Sequence, residues 1–257
     1  MSGRAEGEMP PPCEKSFLEH LLDLRRALVW SVAALAVGIL AAVPLAPRVL
    51  GWIKAPLRAA GKDPEVFLRV IDVTGGLSVA MTVVLGTGAL LSAPFILWAL
   101  GWFVFPGLTV RERRVVLDSL GLAVALFVAG VAVGYRLILG VTLLWLLEIN
   151  RWLGLEVEFF TVQAYVGFVF KLLLGFGLAF EYPIVVLALA RVGLVTAAFL
   201  RGKRRHVAVL LLILAAVITP TVDPVTQVLL ALPLYALYEL CLLLVWALER
   251  QKARAAG

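Results

Sequence analysis

The chain has 257 residues, of which 62% are hydrophobic and only 16% charged, with a mean hydropathy of +1.01 and a formal net charge of +6. A soluble domain, in which roughly 45–50% of residues are apolar, is excluded, and the lack of any alternating ten-residue pattern excludes a membrane barrel. What remains is an all-α polytopic membrane protein.

In chain order, residues 1–15 are polar, of mixed charge, and carry Pro10, Pro11 and Pro12 in a row, which predicts a disordered lead. No cleavable signal peptide is expected, because the first apolar run exceeds the roughly 7–15 residues of such a segment. One domain should follow over residues 16–250, with a short tail over 251–257. "SFLEHLLDLRRAL" begins at Ser16, and Ser16 with Glu19 makes an S-x-x-E capping box that predicts a helix start. Glu19 and Asp23, four apart, share one helix face. That face reads either as an interfacial guide into the first span, with Asp23 offset by Arg26, or as a carboxylate surface for a cationic ligand.

Uncharged runs then mark the membrane: residues 27–47, 73–110, 119–135 and 207–222. A crossing helix needs about 20 apolar residues. Six spans are predicted, near 27–46, 77–104, 116–138, 163–190, 205–220 and 226–247, the last two short. Residues 48–72 are long enough for short interfacial helices and a cap outside the membrane. Fifteen of the 23 Lys and Arg residues fall on the side that holds both termini and six on the other, so the positive-inside rule places both termini in the cytoplasm. The net charge reflects this asymmetry, and no nucleic-acid partner is expected.

Between spans two and three, "FPGLTVRERRV" sets Glu112 among Arg111, Arg113 and Arg114, which by itself reads as an ordinary basic loop. In span four, "LGFGLAFEYPIVV" holds Glu181 with nine uncharged residues on either side. A charge at the bilayer centre costs roughly 2.5–3.5 kcal/mol on insertion scales. Pro183 should break or kink the helix there, and Gly175 and Gly177 should admit a neighbouring helix closely. Glu181 then faces either a polar crevice or a hydrogen-bonding neighbour helix. Lys171, ten residues earlier and about 15 Å along the axis, is too far to pair with it. Gly130 and Gly134 read as helix packing. Thr219, Asp223 and Gln227 surround the last turn, and Glu239 in "PLYALYEL" is a second acid within an apolar run. Cys13 and Cys241 lack metal-ligand spacing. No nucleotide loop, zinc-protease or hydrolase motif occurs, so a non-enzyme without metal or cofactor is expected.

Taken together these stretches resemble the TatC family, the receptor subunit of the twin-arginine protein translocase, over nearly the whole chain from Ser16 to about Trp246. "FLEHLLDLRRAL" is similar to the family's amino-terminal motif, "KAPL" to its first extracytoplasmic loop with Pro56, and "FVFPGLTVRERR" to its first cytoplasmic loop with Phe103 and Glu112. "FGLAFEYP" is similar to its fourth-helix motif, and "TPTVDPVTQ" and "PLYALYE" to its last two helices. The resemblance implies a concave six-helix bundle in the prokaryotic inner membrane that receives twin-arginine signal peptides of folded precursors. Asp23 and Glu112 would grip the two arginines, with Glu19, Arg25 and Phe103 beside them. Pro56, Glu181, Asp223 and Glu239 would shape the cavity. Thr219 and Gln227 would dock single-span TatA-like and TatB-like subunits, within a multimeric receptor complex driven by the proton-motive force. The family usually carries Glu where this chain has Asp23, and the segment after Asp72 lacks the acid and lysine that relatives often have. Two other classes compete: a proton-coupled transporter using Glu181 and Glu239, and a structural scaffold. The absence of an internal repeat weighs against the transporter.

Overall fold

A computed structural model describes residues 17–104, 110–155, 157–193, 195–218 and 224–255. Six rods make up the bundle: α1 (Phe17–Ala59); α3 (Gly75–Val104); α4 (Val110–Val133), continued through a wide turn at Gly134–Ile138 into α5 (Leu139–Trp152); α6 (Val162–Ala179) with α7 (Tyr182–Val192); α8 (Ala197–Ile218); and α9 (Pro224–Ala255). Among the described residues five stretches are long and apolar enough to cross a membrane: Leu21–Ala59, Gly75–Leu100, Gly121–Trp152, Val162–Ala190 and Pro224–Gln251. The sixth rod, α8, is divided: residues 201–206 are exposed and mostly basic, and only 207–218 are apolar.

Several boundaries differ from expectation. α1 is one helix of 43 residues, about 65 Å at 1.5 Å per residue, where a 20-residue span flanked by short helices was expected. α9 is not short: its 32 residues run through Ala255 and take in most of the expected tail. The expected lead over 1–15, with Cys13, and the capping residue Ser16 lie outside the described residues, and the described helix begins at Phe17. At the end of the bundle away from the termini, here the cap end, α2 (Pro64–Phe67) is capped by Asp63, whose carboxylate accepts from the Glu65 N–H at 3.1 Å. Two short strands, β1 (Leu68–Arg69) and β2 (Phe160–Thr161), then pair in parallel with Leu68 opposite Phe160. This pair, with Phe67 edge-on to Phe160 at 4.7 Å, ties the α1–α3 connection to the α5–α6 connection.

Pro56 lies inside α1 and not in a loop. Proline cannot donate to the carbonyl four residues back, so the Trp52 carbonyl is left without its helical donor. The Tyr135 hydroxyl donates to it at 2.7 Å, and the Tyr165 hydroxyl donates to the next carbonyl, Ile53, at 2.6 Å. The first of these bonds fills the place the proline leaves open, and the two tyrosines, from other rods, together fasten the cap-end half of α1. Tyr135→Phe should lower stability by about 1 kcal/mol. In a Pro56→Ala background, where the helix can supply its own donor, the same change should cost little. Thermal melts of the four proteins of this double-mutant cycle in detergent check both.

The main core is built around α6: Leu57, Val83, Leu139, Leu143, Val166, Val169, Leu172, Phe176 and Leu230. A second, separate cluster holds Val186, Leu200, Tyr238, Cys241, Leu242 and Val245 among α7, α8 and α9. α1 contributes little to either, and only 11% of its most apolar stretch is buried. Trp30, Leu40 and Trp52 are exposed along it, as befits a lipid-facing wall. It is held instead by α3, its most extensive neighbour. At their crossing, a Cβ added to Gly38 would lie 2.6 Å from the Gly88 carbonyl oxygen, and one added to Gly88 would lie 2.8 Å from Ile39 Cα. Only glycine permits backbones that close.

Candidate functional site

The glycine crossing sets the level of the residues at the terminal end. Asp23 lies fifteen residues before Gly38 in α1, and Phe103 lies fifteen residues after Gly88 in the antiparallel α3. Each is therefore about 22 Å from the crossing, and on the same side of it. α4 starts only six positions after α3 ends, and the two helices line a cleft of about 120 Å³ formed by Leu90, Pro94, Phe127, Val128 and Val131. Measured from that cleft, Phe103 lies about 14 Å out along α3 and Glu112 about 22 Å out along α4. The fold thus gathers the start of α1, the end of α3 and the start of α4 at one end. Asp23 is half-buried and already engaged within the chain, and Arg25 is exposed. Glu19, Phe103 and Glu112 are placed by their helices, and their side chains lie outside the described part.

Glu181 occupies the break between α6 and α7. The Phe180 N–H still reaches Phe176 O at 3.0 Å, but the Glu181 N–H bonds Leu178 O at 3.1 Å, three residues back, as the helix tightens and stops. Pro183 falls in the first turn of α7, where an N–H has no helical acceptor and its loss costs nothing. Of the expected break or kink the structure shows the break, with the span divided into two helices. The Glu181 carboxyl is half-buried, and its Oε1 has no hydrogen-bond partner. Gly130 of α4 abuts Phe180 beside it, Gly177 meets the Phe127 ring, and Gly175 meets Ile218. The close approach expected at these glycines is therefore realised.

The last two rods depart most from expectation. Glu239 is not an isolated acid within the membrane. Its Oε2 lies 2.6 Å from Arg204 Nη2, with the two side chains 32% and 46% exposed, beside the basic half of α8. Gln227 donates its amide to the Leu212 carbonyl at 2.8 Å, which spends that group on joining α8 to α9. Thr219 and Asp223 lie outside the described residues. Among the described residues no cluster of His, Cys, Asp and Glu could hold a metal ion, and Cys241 is a buried free thiol.

The model of the family described as Sec-independent protein translocase protein (TatC) matches residues 19–233. The chain belongs to the TatC family. A TatC relative from Deinococcus radiodurans is 37% identical over 90% of this chain and 86% of its own length, and one from Aquifex aeolicus is 33% identical over 91% and 96%. Among solved structures, a crystal structure of the twin-arginine translocase receptor TatC superposes with a TM-score of 0.79 at 32% identity, covering 89% of this chain and 98% of that one. A second, in the detergent DDM, gives 0.80 at 33%. The expected all-α TatC bundle is borne out by this likeness.

Within this TatC frame, three contacts near the chain ends were not anticipated. Glu249, near the end of α9, accepts from the Ala197 N–H at 2.9 Å and so caps the start of α8. Thr196 Oγ1 accepts from the Phe199 N–H at 3.1 Å at the same helix start, and Tyr238 donates to the Leu200 carbonyl. Thr196 followed by a helical run is a readable N-cap signal. Glu249, 52 residues away, gives none.

Proposed function

We propose that this TatC protein is the receptor and core subunit of a twin-arginine translocase, binding the signal peptides of folded precursors at the terminal end of the bundle. The observation that carries this reading is the superposition on two TatC receptor structures over almost their whole length. The common level of Asp23 and Phe103, with Glu112 on the adjoining helix, is consistent with it. Arginine presents a planar fork that pairs bidentately with carboxylate, which lysine cannot copy. Two carboxylates on separate helices can therefore select two adjacent guanidinium groups. The distribution of Lys and Arg supports termini in the cytoplasm. TatA-like and TatB-like single-span subunits would then assemble in the plane of the membrane, and nothing in the chain calls for catalysis of its own. The transporter alternative loses one of its two acids to the Arg204 ion pair.

The test is capture of a signal peptide by the full chain in lipid nanodiscs. A peptide with Arg-Arg should bind, and its Lys-Lys counterpart should bind at least about tenfold more weakly. Equal binding of both, or coupled uptake of a small solute by proteoliposomes, would reject the receptor reading.

Glu181 serves as the polar floor of the open face. Glu181→Ala and Glu181→Gln should each lower export and crosslinking to single-span partners while leaving peptide capture intact. Wild-type export and crosslinking in both variants would remove that role.

A further inference from the structure

α8 and α9 run antiparallel, and three contacts set their register toward the terminal end. Glu249 accepts from the Ala197 N–H, Tyr238 donates to the Leu200 carbonyl, and Arg204 pairs with Glu239. Residues 197–206 of α8 therefore lie alongside residues 238–249 of α9. Arg204 reaches across to α9, and Arg201 and Arg205, three positions before it and one after, fall beside it on the outward flank of α8. On α9, Glu239 shares its face with Trp246, seven positions on, and Arg250, eleven on. The Arg250 guanidinium lies over the Trp246 ring, 4.3 Å from its centroid. Arg201, Arg205, Trp246 and Arg250 are all exposed. They form the rim of a seam that has the Arg204–Glu239 pair at its floor.

The seam carries more positive charge than its own acids balance. Glu239 is held by Arg204, and Glu249 caps α8. α8 packs chiefly on α9 and more lightly on α6, which contains no acid. The stretches that adjoin the seam in sequence, 191–194 and 251–257, contain none either. Toward the cap end the same two helices turn apolar. Val209 and Ile213 lie one and two turns beyond Arg205, Leu232 lies two turns before Glu239, and all three are exposed. The apolar half of α8, 207–218, spans only about 18 Å, so Arg205 marks its membrane edge. A ligand that fills the whole seam is therefore anionic at the terminal end and apolar along the rest.

We propose that the outer α8–α9 seam binds one anionic phospholipid, its phosphate held by Arg201 and Arg205 with Arg250 closing the outer side, and its acyl chains lying on Val209, Ile213 and Leu232. Guanidinium forks pair bidentately with phosphate oxygens. A zwitterionic lipid presents the same phosphate beside its own cation, so an anionic headgroup is favoured. A free phosphate ion would leave the apolar half of the seam uncovered. The site is separate from signal-peptide capture, because Asp23, Phe103 and Glu112 belong to α1, α3 and α4.

The experiment is native mass spectrometry of the full chain released from nanodiscs of phosphatidylglycerol mixed equally with phosphatidylcholine. It compares wild type with Arg201→Gln, with the double variant Arg201→Gln and Arg205→Gln, and with Lys203→Gln, and checks each for an unchanged melting temperature. Lys203→Gln removes the same charge from the opposite flank of α8, where the ammonium lies over the Phe199 ring at 5.8 Å. Wild type and Lys203→Gln should retain one phosphatidylglycerol that the double variant lacks. The preference over phosphatidylcholine should fall about fivefold for each arginine removed. Peptide capture should be the same in all four, so failure here is distinguishable from failure of the receptor reading. Equal retention in the double variant and wild type, an equal loss in Lys203→Gln, or a parallel loss of both lipids would each overturn the proposal. So would displacement of the retained lipid by inorganic phosphate, which marks a simple anion site, or by an acidic amphipathic peptide, which marks a protein-docking face.

Discussion

Replacing Asp23 and Glu112 together by Lys should weaken capture of a twin-arginine peptide by about 2–3 kcal/mol, roughly 30- to 150-fold in Kd. The size follows from the setting. Each exposed carboxylate–guanidinium pair contributes only about 0–1 kcal/mol, and reversing its sign adds repulsion of similar size. Asp23 is half-buried and already has a partner in the chain, so capture exchanges one interaction for another, which keeps the net gain per pair small. The single reversals should each show about half the effect. Asp23→Glu, which moves the carboxylate outward by one bond toward the incoming arginine, should bind at least as well as wild type. Titration of a labelled peptide in nanodiscs gives all four values. If the double reversal leaves Kd unchanged, these acids do not form the arginine site, whatever the family likeness implies for the rest of the chain.

The second large effect lies at the α1–α3 crossing. Gly38→Leu puts a Cβ 2.6 Å from the Gly88 carbonyl oxygen, a separation that real Cβ atoms essentially never show. Backbone cannot retreat like the tip of a flexible side chain, so the helices must part. Overpacking of this kind costs about 1–3 kcal/mol, and about 2–4 °C of melting temperature is expected per kcal/mol in a chain of this size. A loss of about 2–12 °C should follow. Gly51→Ala in the same helix, where nothing lies within 4 Å, is the control, and it should be neutral or slightly stabilising because alanine favours helix by about 1 kcal/mol over glycine. Because the crossing sets Asp23 level with Phe103, Gly38→Leu should also reduce peptide capture, whereas Gly51→Ala should leave it intact. A melting temperature unchanged by Gly38→Leu would mean that the two helices do not approach as described.

The membrane rods were legible because lipid demands long uncharged runs, and such runs survive in a single sequence. The break at Glu181 was also visible, because proline removes a helical donor wherever it falls. Pro56 was misplaced for an instructive reason. The likeness of "KAPL" to a loop motif put it in a loop, yet α1 continues through it: Tyr135, 83 residues from the Trp52 carbonyl that the proline leaves bare, supplies the missing donor, and Tyr165, 112 residues away, adds one at Ile53. No local pattern encodes such distant compensation. The same applies to the Arg204–Glu239 pair, which turned an expected intramembrane acid into half of a surface ion pair, and to Glu249 capping α8. The two-residue strands are too short to show any alternation. For the candidate site, residue types and motif order pointed to Asp23, Phe103 and Glu112, while their common end of the molecule follows from the glycine crossing and the brief α3–α4 connection. Lys171 was noticed only as too distant to pair with Glu181.

The interruption at Phe180 and Glu181 separates two packing clusters that share no residue. One is centred on α6, and the other gathers α7 with the facing ends of α8 and α9. Yet α8 and α9 run unbroken from one cluster into the other, with Ile218 and Leu230 in the first and Leu200 and Tyr238 in the second. The two clusters therefore cannot turn about that joint without bending both helices, which act as splints across the gap.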